Sequence, residues 1–379
     1  MTEKLYYLDA YIKEFDARVI SSERVGDRFE TILDKTAFFP EEGGQMSDTG
    51  VIGDCRVIDV KERNGIIYHI TDSEVALGDV HCALDFDDRF EKMQCHTAEH
   101  IMCGIIHEML GYANVGFHLG SEIVTFDVDG ELTAEQISEI EERANSAVFA
   151  NLPVKAYFPS REELVELNYR SKIEIDGDVR IVEVVGVDMC ACCAPHVSYT
   201  GEIGLIKIVD FMRHRGGMRL TLQAGKRALA DYKKRYEITR RIGAMTSTPS
   251  LDVLGSVNAL VEERDKLVYE MKLLKSRLVT ELARAVGSTD GNLVAVLDGF
   301  DIPEMREYAN IAGDRIGGML VILSADGDGY KYVITSKSVN LREEIKAINA
   351  SLSGRGGGTA DMVSGRFSAT LARIEEYFK

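Results

Sequence analysis

The chain has 379 residues, 45% of them hydrophobic, with 44 Lys and Arg against 62 Asp and Glu for a formal net charge of −18. At about 150 residues per domain this predicts two or three domains, and so much apolar mass excludes wholesale disorder. No stretch approaches the length of an uncharged membrane span, and the N-terminus MTEKLYYLDAYIKEFDARVI lacks an apolar run followed by a small-residue cleavage site, so a cytoplasmic protein is expected.

From Lys4 to Phe86, short alternating runs (17–21, 28–34, 55–60, 65–71 and 81–86) are separated by Gly, Asp and Asn, and predict a small antiparallel β unit, barrel-like, over 1–86. Asp88 is a candidate cap for a helix that Gly111 stops, with Phe90, Met93, Ile101, Ile105 and Met109 as its apolar stripe. Capping boxes at Thr133/Gln136 and Ser160/Glu163 open helices over 134–150 and 161–168. Strands are predicted at 116–120, 122–128, 154–158, 179–186, 203–211 and 218–223, which makes 87–223 an α+β domain.

Residues 224–288 read as a helical linker broken at Thr248-Pro249-Ser250. Within it Leu260, Arg264, Leu267, Met271, Leu274 and Leu278 fall at the alternating spacing of a short coiled-coil seam, open either to a hairpin within the chain or to a homodimer through the C-terminal half. The last segment, 289–379, alternates strands (293–299, 319–325, 330–336) with helices (303–313, 341–352 and a terminal one) around a Gly-rich loop, and predicts a separate α/β domain. The overall class is α+β.

Charge is unevenly distributed. Residues 1–206 hold 17 basic and 40 acidic side chains, whereas 207–241 hold 11 basic and 3 acidic. That basic segment, with Arg213, Arg215, Arg219, Lys226, Arg227, Lys233, Lys234, Arg235, Arg240 and Arg241, is either a solvated helix face or a patch for nucleic-acid phosphates on an otherwise acidic body.

Seven cysteines is an odd number, and Cys190, Cys192 and Cys193 crowd together, which suits thiols or metal ligands better than disulfides; Cys55, Cys82, Cys95 and Cys103 read as small apolar residues. His96-Thr97-Ala98-Glu99-His100 places two imidazoles on one helix face, where both can reach one metal. Cys192 and His196 form C-x-x-x-H, so a helix pair and a loop pair together would complete a tetrahedral N/S zinc site, with Cys190 and Cys193 as competing thiolates. Four protein ligands make such a site structural unless water or substrate gains a position on the metal. Upstream, Gly43-Gly44-Gln45 permits close backbone approach to a ligand and exposes amide donors, and Thr36 supplies a hydroxyl near the same loop.

The order LDKTAFFPEEGGQMSDTG (33–50), HTAEH (96–100) and CCAPHV (192–197) resembles the alanyl-tRNA synthetase editing domain and its freestanding relatives, the AlaX trans-editing proteins. Gly354-Arg355-Gly356-Gly357-Gly358-Thr359-Ala360-Asp361-Met362 is similar to the Gly-rich signature of the DHH-associated domain at the C-terminus of those proteins. The resemblance implies hydrolysis of serine or glycine from mischarged alanine tRNA, Zn²⁺ held by His96, His100, Cys192 and His196, an editing pocket at Gly43, Gly44 and Gln45, and Thr36 reading the serine hydroxyl. It also implies tRNA contact by the C-terminal domain, where Arg355, Gly356 and Gly357 lie.

Two departures stand out. The family's C-G-G-T-H is Cys192-Cys193-Ala194-Pro195-His196 here, and Glu42 stands where a further Gly is common. Two other readings are a zinc peptidase, because 96–100 also fits H-x-x-E-H with Glu99 as base, and a tRNA-binding protein without hydrolytic activity.

Overall fold

In the computed structural model, which describes residues 2–121, 123–171 and 178–379, the chain divides into two units, Met1–Arg241 and Ile242–Lys379. In the first, six antiparallel strands close into a barrel in the order Glu14–Val25, Arg28–Leu33, Ile66–Thr71, Cys55–Arg63, Gly50–Ile52, Gly78–Leu84. Alternation sends Ala17, Val19, Leu33, Ile67 and Cys82 inward. A register shift between Val57 and Asp59 lets Val57 and Val60, three residues apart, both face the core.

Helix α1 (Phe86–Leu110) follows directly. It starts two residues before the expected Asp88 cap, and Asp85 at its N-cap makes no capping bond, because its carboxylate pairs with Arg56. Gly111 ends it in the left-handed conformation, with φ 72° and its amide returned to His107 O at 2.9 Å. Of the predicted stripe, Met93, Ile101 and Ile105 are buried and Phe90 and Met109 half-buried. Residues 92–106 are buried on every side, so α1 is the axis of this unit rather than a surface helix.

Around α1 lie a four-stranded antiparallel sheet (Ile206–His214, Gly217–Ala224, Val124–Val128, Asn114–Leu119) and helix α2 (Ala134–Phe149), sharing one apolar core. Glu122, first residue of the strand expected at 122–128, lies outside the described residues. Both expected capping boxes form, Thr133 receiving Gln136 N at 3.2 Å for α2 and Ser160 receiving Glu163 N at 3.3 Å for α3 (Arg161–Glu166). A three-stranded sheet (Val154–Tyr157, Ile181–Val184, Asp188–Ala191) delivers the loop at 192–196.

Helix α4 (Gly225–Thr246) ends just before the expected break and α5 (Val253–Arg284) follows it. Seam residues Leu260, Leu267, Met271, Leu274 and Leu278 are each more than half exposed. At its C-terminal end α5 enters the core of the second unit, where Val279 and Ala283 pack with Met305 and Tyr308 of α6 (Ile302–Ala312). That unit is built on a five-stranded mixed sheet, Leu293–Val296, Met319–Asp326, Gly329–Ser336, Met362–Phe367, Gly354–Gly358, with α7 (Leu341–Ser351) and α8 (Leu371–Phe378) on its other core.

One expectation is corrected here. The Gly-rich segment is not a loop but an edge strand, Gly354–Gly358, paired antiparallel with Met362–Phe367. A Cβ at Gly356 would lie 2.4 Å from the Tyr332 hydroxyl, and one at Gly365 would lie 2.7 Å from it, so these glycines let two backbones cross a tyrosine. Gly357 meets nothing within 4 Å, and Arg355 is exposed on the same strand.

Candidate metal centre

Helix α1 brings His96 and His100 to one face, and the loop after strand Asp188–Ala191 brings Cys192 and His196 against them. One donor atom from each lies within 4.8 Å of every other, a group that could hold a metal ion. Cys192 Sγ is 3.6 Å from His96 Nε2 and 3.4 Å from His196 Nε2. His96, His100 and His196 are 5% exposed or less.

Each imidazole is oriented from behind. His96 Nδ1 donates to Gln45 Oε1 at 2.8 Å. His196 Nδ1 donates at 3.0 Å to Thr97 Oγ1, whose own proton goes to Met93 O at 2.8 Å. His100 Nδ1 faces Asp188 Oδ2 at 3.2 Å, and Arg170 clamps that carboxylate with bonds of 2.7 and 2.9 Å. With Nδ1 hydrogen-bonded on His96 and His196 and set against the Asp188 carboxylate on His100, the three Nε2 atoms are the ones turned to the centre. Asp188 reaches His100 because Gly104, one turn along α1, lacks a side chain; a Cβ there would lie 2.6 Å from Val187 O.

The electrostatics follow from this packing. Burial works against charge on Cys192, but the neighbouring His96, His196 and His100 rings outweigh it and hold the thiol well below its usual range. Burial likewise opposes an imidazolium at His100, yet Asp188 and the Cys192 sulfur raise it well above the ordinary histidine value. At His196 burial dominates and lowers the ring to about 3. Cys190 is buried and lies with His100 and Asp188 in a second donor group.

The Glu42–Gln45 turn is pinned over α1. Its amides and carbonyls close on themselves at 3.2 and 3.0 Å, and Leu119 N donates to Gly44 O at 2.7 Å. Gly43 and Gly44 have φ of 61° and 83°, and a Cβ on Gly44 would lie 2.3 Å from Phe117 O, so glycine is required there. Behind the turn the buried Asp48 carboxylate takes Phe39 N at 2.7 Å and Arg89 Nε at 2.9 Å, tying the barrel loop to α1.

A cavity of about 460 Å³ opens on the donor cluster, with Glu42, Gly43, His96, His100, Cys192 and Cys193 in its wall. Tyr7, Phe117 and Phe158 supply aromatic surface. Arg180, also on the wall, donates to Cys192 O at 3.0 Å and Ala194 O at 2.8 Å and so holds the loop that replaces C-G-G-T-H. Ala194 packs on Tyr6 and Phe39, and the ligand spacing is intact.

Other expected site residues lie elsewhere. Gly44, Gln45 and Thr36 are not in the cavity wall. Gln45 is wholly buried, its oxygen on His96 and its Nε2 without a hydrogen-bond partner among the described residues. Thr36 is buried in the barrel, its hydroxyl donating to His69 Nε2 at 2.8 Å and accepting Phe38 N at 3.1 Å. Glu99, the base of the peptidase reading, is absent from the wall and accepts from the Asn114 amide and the Cys103 thiol. Thr97, Arg170, Asp188 and Arg180 were not singled out from the sequence. The signal for Asp188 was strand alternation, which sets it on the same side as Cys190.

The basic residues are distributed over the hairpin Ile206–Ala224 and α4. Most carry acidic partners: Arg213 with Glu131 at 2.9 Å, Arg219 with Asp127 at 2.7 Å, Lys226 with Asp87 at 2.8 Å, Arg227 with Glu91 at 3.5 Å, Arg235 with Asp231 at 2.5 Å, and Arg240 and Arg241 with Glu237 at 2.8 and 2.9 Å. Arg215 sits at the hairpin turn with φ 47°, and Lys233 and Lys234 are exposed on α4 beside the stacked rings of Tyr232 and Tyr236. No helix among the described residues is long and apolar enough to cross a membrane.

Two family profiles match the chain: the threonyl and alanyl tRNA synthetase second additional domain over residues 179–228, which contain Cys192 and His196, and the class II (A) tRNA synthetases over residues 6–87. An alanyl-tRNA editing protein, AlaX-L of Pyrococcus horikoshii, is 28% identical over 99% of this chain and 96% of its own. Alanine–tRNA ligases of Ignicoccus hospitalis and Halobacterium salinarum are 31% and 34% identical over 94% and 88% of this chain, which spans only 40% and 38% of their length. The C-Ala domain of Aquifex aeolicus alanyl-tRNA synthetase matches 24% of the chain at 26% identity, with a TM-score of 0.22 that carries no argument about fold. The chain is thus related along nearly its whole length to an alanyl-tRNA editing protein, and to about two fifths of the length of alanine–tRNA ligases.

Proposed function

We infer that this protein is an aminoacyl-tRNA deacylase that removes serine, and glycine where it is misattached, from alanine tRNA, with zinc held by His96, His100, Cys192 and His196. The observation that carries the reading is the convergence of those four donors, from stretches of chain almost a hundred residues apart, with His96, His100 and Cys192 in the wall of one cavity and His196 behind them. Three imidazole nitrogens and one sulfur suit zinc, which, when bound, supplies Lewis acidity toward an ester carbonyl or a water.

The chain's own residues do the rest. Gln45, Thr97 and Asp188 fix the ring orientations; the Gly43 backbone is the nearest candidate donor to a developing oxyanion; and Tyr7, Phe117 and Phe158 give apolar surface to the acylated end of the tRNA. The units 1–86 and 87–223 form the hydrolytic body in this reading, while the helical segment 224–288, the C-terminal segment 289–379 and the free cations Arg215, Lys233, Lys234 and Arg355 serve tRNA capture. The resemblance assigns Thr36 a bond to the serine hydroxyl, which here has to be made from behind the cavity wall, since Thr36 is wholly buried in the barrel. A site that depends on that bond rejects alanine where mere size exclusion would not.

The test is release of amino acid from seryl-, glycyl- and alanyl-tRNA(Ala) by the purified protein, with and without chelator. Serine or glycine should leave ~100-fold faster than alanine or more, and chelator should abolish the difference. Equal, chelator-insensitive rates would overturn the reading. In Thr36→Val the serine-to-alanine ratio should fall by ~10-fold or more, the effect of one lost polar contact; an unchanged ratio removes Thr36 from that role.

A further inference from the structure

The geometry points to Glu42 as the anionic partner of the substrate's α-ammonium group, with Cys193 as the residue that positions its carboxylate. This rests on the deacylase reading and deepens it. Glu42 and Cys193 share the cavity wall with the donor cluster, and their side chains are close enough to interact electrostatically. Cys193 Sγ also lies 3.7 Å from where a Cβ on Gly43 would stand, so the thiol rests on the turn that carries Glu42.

Position is fixed as well as proximity. Glu42 is the first residue of the turn closed by Gln45, and the Gln45 side chain is bonded to His96, so the backbone that carries Glu42 is held beside the metal donors. An aminoacyl ester whose carbonyl lies at that cluster brings its ammonium within the same small space, where aromatic walls make an unpaired cation costly. Arg180, the cation on the wall, is spent on the carbonyls of Cys192 and Ala194. Glu42, Cys193 and Ala194 are the places where this sequence departs from glycine in the related motifs, and the first two share the cavity wall.

The experiment compares seryl-tRNA(Ala) with N-acetyl-seryl-tRNA(Ala), which lacks the ammonium, using the full-length protein and reading kcat/KM for each. Wild type should prefer the free amine, and Glu42→Gln should lower that preference by about ten- to a hundredfold, the range of a lost charged hydrogen bond. Cys193→Gly should lower it partway through the free-amine substrate, and Cys193→Ser, which keeps a donor, should restore it. An unchanged ratio in Glu42→Gln, or a loss that instead follows Asp178→Asn, the other carboxylate on the wall, overturns the assignment. If wild type cleaves both esters equally, the subsite is wrong while the deacylase reading stands; if it cleaves neither, both fall.

Discussion

Buried histidines need their protons placed, and this chain places four of them. Three belong to the candidate donor group, and the one with the most elaborate backing is His100, set against Asp188 and Arg170. Asp188→Asn should weaken zinc binding ~10- to 100-fold in a chelator competition, whereas Cys190→Ala should leave it within a few-fold; equal effects would mean that the second donor group holds the ion. The fourth, His69, is pushed down to about 4 by burial, partly offset by its bond to Thr31 O. Its folded value lies below the ordinary one, so its contribution to stability is complete above pH 6.5 and is lost as pH falls toward 4. The stability gap between wild type and His69→Gln should therefore narrow by roughly 3 kcal/mol across that window, and a gap independent of pH contradicts the burial argument. The donors were legible because i, i+4 spacing is a local property of a helix. Asp188, Arg170 and Thr97 were not, because their roles depend on which strand or loop comes to lie against α1.

Among the elements, α1 carries two of the four donors, and its attachment to the barrel rests on a buried ion pair. Arg89 and Asp48 are 1% and 2% exposed, and the same guanidinium also donates to Ala37 O at 2.6 Å and Ala10 O at 3.2 Å. Arg89→Met leaves a carboxylate buried without its partner and should cost ~3–5 kcal/mol in denaturant unfolding; a loss under ~1 kcal/mol, as for a surface pair, would show that the pair is not what joins these elements. Capping boxes at Thr133 and Ser160 were readable because both partners lie within four residues. The Gly-rich segment was misread because consecutive glycines signal a turn, and only the tertiary position of Tyr332 shows that Gly356 and Gly365 are there to clear its hydroxyl. Glu99 was misleading for the opposite reason. Its place in H-x-x-E-H fits a base, while Asn114, fifteen residues on, holds its carboxylate.

For the molecule as a whole, the charge map of the sequence overstates the free cations. The excess over 207–241 is real, but eight of its basic side chains are paired, five with acids of 1–206 and three with Asp231 or Glu237 in the segment itself. In the proposed deacylase, capture of tRNA then falls to few contacts. Lys233→Ala with Lys234→Ala should weaken tRNA binding and reduce the slope of log affinity against log salt by up to ~0.7–0.9 per residue, whereas Arg219→Ala, which loses an ion pair, should change that slope little; the reverse pattern would move the RNA-facing surface to the hairpin. The central claim is that four donors from two separate stretches hold one metal. The most direct measurement is titration with Co²⁺, followed by visible absorption. One ion per chain with a tetrahedral, single-thiolate spectrum, retained in Cys190→Ala and lost in Cys192→Ala, is the predicted result. Failure to bind stoichiometrically, or a thiolate band that survives Cys192→Ala, would contradict it.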